Sequence, residues 1–252
     1  MTLSIVLLYL ICLIVGILVG STGMGGILIP PSLVLLSGLE THVAMGTTLA
    51  SFMPMDLVGC VTFRRMNHLP WDKAWPITLG GALSAGPFAL INTNLSGNFL
   101  TFLLALLILF AGYRTFKPVK VKDESQESFW LTTWGLFWIG AITGTVAGLT
   151  GAGGPLLAIA WMVTYGLHPL TAIGLSMPYS VSTAITATIC NHLNGNIDFI
   201  CFAKVSLVEL IGFGIGVLTV SKMPVAIIKR IMGITCVGLG LFLVFKSLIW
   251  QI

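Results

Sequence analysis

Long runs of apolar residues, separated by short polar stretches, dominate the pattern of this chain. A helix needs about 20 apolar residues to cross a bilayer, and eight of the ten runs approach that length. Two runs, 24–37 and 153–166, are too short. The pattern predicts an all-α polytopic membrane protein with eight to ten membrane segments, in the runs 3–20, 24–37, 43–63, 74–92, 97–115, 129–148, 153–166, 170–190, 199–220 and 224–250.

The composition agrees with this class. Charged residues make up 8% of the chain and its mean hydropathy is +1.02, whereas soluble domains carry about 25% charged residues. The first run has neither the basic start nor the cleavage site of a signal peptide, so we interpret it as a retained span. The net charge of +4 comes without a basic patch interleaved with aromatic residues, which argues against nucleic-acid binding. We expect a multi-pass protein of the cell inner (plasma) membrane, with the lipid bilayer around it, and a homodimer is compatible with this.

The two halves of the chain resemble each other. The sequence "TGMGG" at 22–26 and the sequence "TGAGG" at 150–154 lie 128 positions apart, and Gly46 matches Gly174 at the same spacing. Repeated halves with an interrupted segment in the same place are typical of transporters. We predict a first membrane repeat at 1–115, a cytoplasmic linker at 116–128 and a second membrane repeat at 129–252.

Two topologies compete for these repeats. If each break is a hairpin and the N-terminus lies outside, ten of the twelve Lys and Arg residues lie inside; if each break is a kink and the N-terminus lies inside, nine do. Basic residues favour the cytoplasmic side. As one helix, residues 3–37 would measure about 52 Å, well beyond a hydrocarbon core of about 30 Å. We therefore favour inverted repeats with hairpin breaks, although the side of the N-terminus stays open. We expect the register of the repeat to slip further along, where Arg64 would align with His192.

Three motifs carry a resemblance to a known family. They are the glycine run at 22–26, "HVAMGTTLA" at 42–50 and "FRRMNHLPWDKA" at 63–74. With them the chain resembles the sulfite exporter TauE/SafE family, also called TSUP, over nearly its whole length. Ile27 and Pro155 stand where family members often have a third consecutive glycine. The resemblance implies a carrier of small sulfur-containing anions, such as sulfite, sulfoacetate or a related organosulfonate, with export as the expected direction.

The glycine-rich breaks are the first candidates for a substrate site. A helix N-terminus presents free amide donors and a partial positive charge, and it commonly binds anions. Irregular backbone at membrane depth is tolerated where protein or a water-filled cavity satisfies it. Close helix packing is the alternative interpretation of glycine, and it fits Gly16, Gly20, Gly144 and Gly148. The candidate site residues are Thr22, Gly23, Met24, Gly25, Gly26, Thr150, Gly151, Ala152, Gly153 and Gly154.

Two matched stretches, 46–54 and 174–182, combine hydroxyl side chains with a proline. These hydroxyls can donate to anion oxygens or bond back to their own helix, and both interpretations stay open. Asp56 and Glu209 lie inside apolar runs, where acids often carry function; each is a candidate for a coupling proton or for a buried structural hydrogen bond. The further substrate-binding candidates are Thr48, Ser51, Ser176, Tyr179 and His192, with Thr47 and Ser180 as additional hydroxyl donors.

These features together predict a secondary transporter that works by alternating access. The alternatives are a transporter of another small anion or metabolite, and a non-transporting membrane assembly protein. An enzyme is disfavoured because the sequence contains neither HExxH nor GxSxG, and its glycine runs lack the Gly-Lys-Ser/Thr of a phosphate-binding loop. No cofactor and no metal are expected.

Overall fold

A computed structural model describes residues 2–116, 129–151 and 154–219, together with residues 237, 238 and 241. Every secondary-structure element in these ranges is a helix, and five of the helices are long and apolar enough to cross a membrane. The predicted all-α polytopic fold is confirmed. All but the first residue of the predicted linker 116–128, and most of the run 224–250, lie outside the described residues. The helices are α1 (Thr2–Thr22), α2 (Gly26–Ser37), α3 (Thr41–Arg65), α4 (Trp71–Asn92), α5 (Gly97–Phe116), α6 (Thr133–Thr150), α7 (Gly154–Thr164), α8 (Pro169–Leu193) and α9 (Phe199–Thr219).

Both short apolar runs form short helices, α2 and α7. Each helix begins one or two residues later than its run, because glycines with positive φ precede it: Gly25 has φ 137° and Gly151 has φ 71°. α2 is irregular, with a 3-10 first turn, an α middle and a π last turn. It ends at Gly38, whose φ is 69°.

The first break is a reverse turn. The last turn of α2 packs against α1, and a Cβ on Gly25 would lie 3.0 Å from the Cβ of Leu18. The chain therefore turns back along α1 instead of continuing as one kinked helix. In the second half, α7 packs against α6 in the same way.

The helices keep the repeat spacing of 128 positions beyond the region in which the residues of the two halves are identical. α3 covers 41–65 and α8 covers 169–193, so both their ends lie 128 positions apart. α4 and α9 also begin 128 positions apart, at Trp71 and Phe199. The expected slip of register at Arg64 and His192 is wrong: the helices stay in register there, and only the residue types differ.

One predicted helix start is wrong. The apolar run beginning at 129 opens with a short 3-10 turn, Phe129–Leu131, and α6 begins only at Thr133. The side chain of Thr132 caps α6 by accepting a hydrogen bond from the Gly135 amide at 3.3 Å. Threonine is favoured at this position because its oxygen satisfies an amide that the helix leaves free.

Glycines allow two pairs of helices to cross with their backbones in contact. α1 lies parallel to α9, with Gly16 against the Glu209 carbonyl and Gly20 against the Phe213 carbonyl. Small residues permit such close approach in membrane helices. The related pair, α4 and α6, is also parallel and uses Gly80, Gly140, Gly144 and Gly148. The packing interpretation of Gly16, Gly20, Gly144 and Gly148 is confirmed.

α3 and α8 cross in opposite directions at the centre of the bundle. Gly46, near the start of α3, lies against the carbonyl of Asn196, which follows the end of α8. Gly174, near the start of α8, lies against the carbonyl of His68, which follows the end of α3. Each of these two helices is therefore held at both ends by the other half of the chain.

Candidate functional site

A small buried cavity lies where the break between α1 and α2 meets α3, α7 and α8. Its polar groups come from the backbone of residues 23–26, from Asp56 on α3, and from Ser176 and Ser180 on α8. Its volume is about 30 Å³, which is room for one or two water molecules. The cavity is lined by Val19, Gly23, Met24, Gly25, Gly26, Ile27, Phe52, Met55, Asp56, Pro155, Leu156, Ser176, Met177 and Ser180.

The first break supplies the cavity with backbone donors. Gly23 has φ 68° and Gly25 has φ 137°, which only glycine adopts without strain. The Met24 amide donates to the Thr22 hydroxyl at 3.3 Å, whereas the amides of Gly25 and Gly26 have no hydrogen-bond partner among the described residues. Two amide groups at the start of α2 are therefore open to a ligand.

The second break contributes less than the sequence predicts. Gly151 packs against Met45, and Gly154 lies against the Tyr179 hydroxyl, so neither lines the cavity. Ala152 and Gly153 lie outside the described residues. The residues directly after this break that reach the cavity are Pro155 and Leu156, and proline has no N–H to donate. The same half also lines the cavity with Ser176, Met177 and Ser180 of α8. The two breaks meet at one cavity, but the donors in the described structure come from the first.

Most of the predicted hydroxyl groups bond back to their own helix. Among the five threonines and serines of the main candidate set, Ser176 lines the cavity, as does the additional candidate Ser180, and the Ser176 hydroxyl donates to the Ile173 carbonyl at 2.7 Å. A hydroxyl has a single proton, so in this state Ser176 offers lone pairs to the cavity. The other four donate to carbonyls three or four residues earlier: Thr22 to Leu18, Thr48 to Ala44, Ser51 to Thr48, and Thr150 to Val146.

Tyr179 and His192 lie away from the cavity. Tyr179 is fully buried between Gly81 and Gly154. His192 is exposed at the end of α8, where its ring meets Phe199 edge to face at 5.4 Å. We therefore leave both residues out of the proposed substrate contacts.

Two buried acids lie on one side of the cavity. Asp56 is 3% exposed and lines the cavity, and its Oδ2 atom has no hydrogen-bond partner in the described structure. Glu209, on α9, is fully buried near Asp56 and Ser51, and neither of its carboxyl oxygens has a partner there. Unpaired polar atoms are costly in an apolar interior, so both acids need an explanation.

The apolar wall of the cavity is a feature that the sequence interpretation missed. Phe52 and Met55 share one face of α3 with Asp56, at the helical spacing of three and four residues. A Cβ on Gly26 would lie 2.6 Å from the Phe52 ring, so the ring closes directly over the first break. The spacing alone would have grouped these residues with Asp56.

A hydrogen-bonded pair fastens the second break. Asn92 at the end of α4 is buried, and its side chain donates to the Leu149 carbonyl at 2.5 Å, directly before the break. The Asn92 amide oxygen pairs with Nδ1 of His42 at 2.8 Å. The position corresponding to His42 in the second half is Leu170, so the first break has no equivalent pair.

Replacing Asn92 with alanine should destabilise the protein. The change leaves the Leu149 carbonyl without its donor, and an unsatisfied buried group costs about 1–3 kcal/mol. Unfolding in mixed micelles of increasing denaturing detergent would measure the loss. Asn94→Ala is the matched control, because Asn94 is exposed two residues further along. Equal stability of the two variants would contradict a fastening role for Asn92.

A bundle of apolar helices with two broken segments, the first of which lines a cavity together with an acid and two serines, is typical of one class of protein, the multi-pass membrane transporters. Comparison with known proteins gives the family. The profile of the family described as sulfite exporter TauE/SafE matches residues 8–247, so the chain belongs to that family.

Two relatives in Bacillus subtilis (strain 168) are similar along most of their length. The probable membrane transporter protein YdhB is 25% identical over 246 residues, covering 95% of this chain and 100% of YdhB. The probable membrane transporter protein YjnA is 25% identical over 229 residues, covering 86% of this chain and 89% of YjnA. No solved structure matches the chain.

Proposed function

We propose that this protein is a secondary transporter that exports small sulfur-containing anions, sulfite above all, across the cell inner membrane. The observation that carries the proposal is the first break, where Gly25 and Gly26 line the cavity and their amides have no hydrogen-bond partner among the described residues. Free amides at a helix start attract negative charge. Sulfite and sulfonates present several oxygen acceptors to such donors, and the description of the family favours this class of anion.

The size of the cavity favours the smaller anions of this class. A cavity of about 30 Å³, with room for one or two water molecules, must widen to bind any of these anions, and it widens least for an anion without a carbon chain. Sulfite is therefore our first choice, with sulfoacetate and related organosulfonates behind it. Met55, Phe52 and Leu156 form apolar walls, which exclude water and strengthen the polar contacts inside.

Alternating access follows from the arrangement of the repeats that we propose. Corresponding helices α3 and α8 run in opposite directions, and α1 and α4 of one half pack beside α9 and α6 of the other. This pattern favours inverted repeats, in which one half rocks against the other around a fixed central site. The cavity lies where the first break meets α7 and α8 of the second half, so such a motion would expose it to either side.

Counterflow in proteoliposomes tests the proposal. Vesicles that hold purified protein and unlabelled sulfite should take up external ³⁵S-sulfite, and vesicles without protein should not. Thiosulfate, sulfoacetate and taurine, loaded inside in turn, would rank the substrates, with chloride as the unrelated anion. If no anion supports counterflow, the protein is a non-transporting assembly factor. If chloride works as well as sulfite, the proposed substrate class is wrong.

A further inference from the structure

Asp56 places a carboxyl group in the wall of the cavity that we assign to an anion. At 4 Å, two like charges repel by about 4 kcal/mol at an effective dielectric constant of 20. An ionised Asp56 would therefore oppose the binding of any anion beside the Gly25 and Gly26 amides. A protonated Asp56 would instead donate a hydrogen bond to the anion.

We propose that Asp56 and Glu209 form a proton site that loads one proton together with each anion, a proposal that rests on the proposed anion cavity. The carboxylate takes up a proton from water, and the resulting carboxylic acid donates to an oxygen of the anion. Release of the anion on the other side returns the proton to water. One proton and one anion therefore cross in each cycle, and no bond of the anion changes.

Glu209 extends this site behind Asp56. It is fully buried, and both its oxygens lack partners in the part of the chain that the structure describes. Acids that interact strongly titrate as a pair, and the Asp56 charge acts on Glu209, so we treat the two as one proton site. The neighbouring groups are neutral hydroxyls and thiols: Ser180 of α8, Cys60 and Ser51 of α3, Cys12 of α1 and Cys201 of α9. Within the described ranges no Lys, Arg or His faces either acid to take the place of the proton.

The acids lie at only one of two related helix crossings, that of α3 with α9, which argues against a purely architectural role. At the repeat spacing of 128, Asp56 corresponds to Ala184 and Glu209 corresponds to Gly81. The related crossing of α4 and α8 is closed by the Tyr179 ring against Gly81. An interface of this geometry therefore packs without acids, so their presence between α3 and α9 serves another purpose.

Proton loading is compatible with export. A divalent anion that carries one proton keeps a net charge of minus one. An inside-negative potential favours its exit by about 2.3 kcal/mol per 100 mV. Moving the proton out against a gradient of one pH unit opposes export tenfold, about 1.4 kcal/mol, so a potential of 100 mV still favours export.

Infrared spectroscopy of the protein in liposomes tests the proton site without any substrate. The C=O stretch of protonated carboxylic acids should be present at neutral pH and should shrink in Asp56→Asn and in Glu209→Gln. The exposed acids Asp72 and Glu40 provide matched controls, Asp72→Asn and Glu40→Gln, which should leave the band unchanged. Absence of the band from the wild-type protein would overturn the proposal, even if the protein transports sulfite.

Driven uptake then tests the coupling with ³⁵S-thiosulfate and ³⁵S-sulfite as probes. With the potential clamped, a gradient of one pH unit should drive accumulation of up to about tenfold at one proton per anion. Asp56→Asn should lose this accumulation, whereas Asp72→Asn, which lies outside the cavity, should keep both the accumulation and the counterflow of the wild type. Accumulation that persists in Asp56→Asn, or that follows a sodium gradient, would overturn the coupling. A protonated band together with no counterflow of any anion would instead refute only the proposed function.

Discussion

Replacing Gly23 with alanine should reduce counterflow about tenfold or more, which corresponds to at least 1.4 kcal/mol in the transport step. Gly23 forms the turn between α1 and α2 and lines the cavity. A Cβ there would lie 2.6 Å from Cδ1 of Ile159 on α7 and 3.1 Å from Cγ2 of Ile173 on α8. The end of the Ile159 side chain can rotate away, but the β-branched Ile173 side chain is stiff at χ1, so the added methyl group would press the first break against α8. The measurement is the counterflow rate per unit of monodisperse protein.

Gly38→Ala separates this steric contact from backbone strain. Gly38 has φ 69° and Gly23 has φ 68°, so alanine pays a similar penalty of about 1–2 kcal/mol at both positions. A Cβ on Gly38 meets nothing within 4 Å. Gly38→Ala should therefore transport within about twofold of the wild type. If the two variants lose counterflow equally, backbone strain alone explains the loss. The contact of the first break with α7 and α8 is then not needed for transport.

The sequence predicts the helices and the breaks well. A helix that crosses lipid needs a long apolar run, and such runs are easy to recognise. Eight runs of nearly span length stand out in a chain with 8% charged residues, and the repeated glycine motif marks both interruptions. The spacing of 128 positions carries over to the bounds of α3 and α8. The helix start at Thr133 was missed because an apolar run gives no warning of the 3-10 turn at Phe129–Leu131.

The residues that line the cavity were harder to predict, because the two glycine motifs are nearly identical and only one of them faces open space in the described structure. The two glycine motifs differ by one residue between 22–26 and 150–154. Gly154 nevertheless meets the Tyr179 hydroxyl, while Gly26 meets the cavity and Phe52. The cause lies on α8, since Tyr179 corresponds to Ser51 at the repeat spacing. A bulky ring in one half fills the space that stays open in the other.

The candidate hydroxyls show a second limit. Thr22, Thr48 and Ser51 have the residue types that bind anions, yet each donates to its own helix. Such back-bonding needs no tertiary contact, so sequence alone does not separate it from ligand binding. Asp56 was identifiable because a lone acid in an apolar run has no local partner of this kind.

Replacing Gly212 with valine should reduce the free energy of unfolding by about 3 kcal/mol or more, at the upper end of the cost of overpacking. A Cβ on Gly212 would collide with the Leu13 carbonyl of α1 and would lie 3.1 Å from the Cα of Gly16. These are backbone atoms, which cannot rotate away as a side chain can. α1 and α9 would have to separate, and Glu209, one turn earlier on α9, would no longer be buried against α1. Detergent-induced unfolding and the yield of monodisperse protein would both report the loss.

Gly214→Val is the control that assigns this effect to the crossing. Gly214 lies two residues further along the same helix, is exposed, and has nothing within 4 Å of an added Cβ. Valine on a lipid-facing surface is slightly favourable, by about 0.3–0.6 kcal/mol on insertion scales. Its unfolding should therefore match that of the wild type. Because both variants introduce the same side chain into α9, a general effect of valine on that helix would appear equally in both. If Gly212→Val is as stable as Gly214→Val, α1 and α9 do not cross in backbone contact. In that case α1 does not bury the Asp56 and Glu209 pair either.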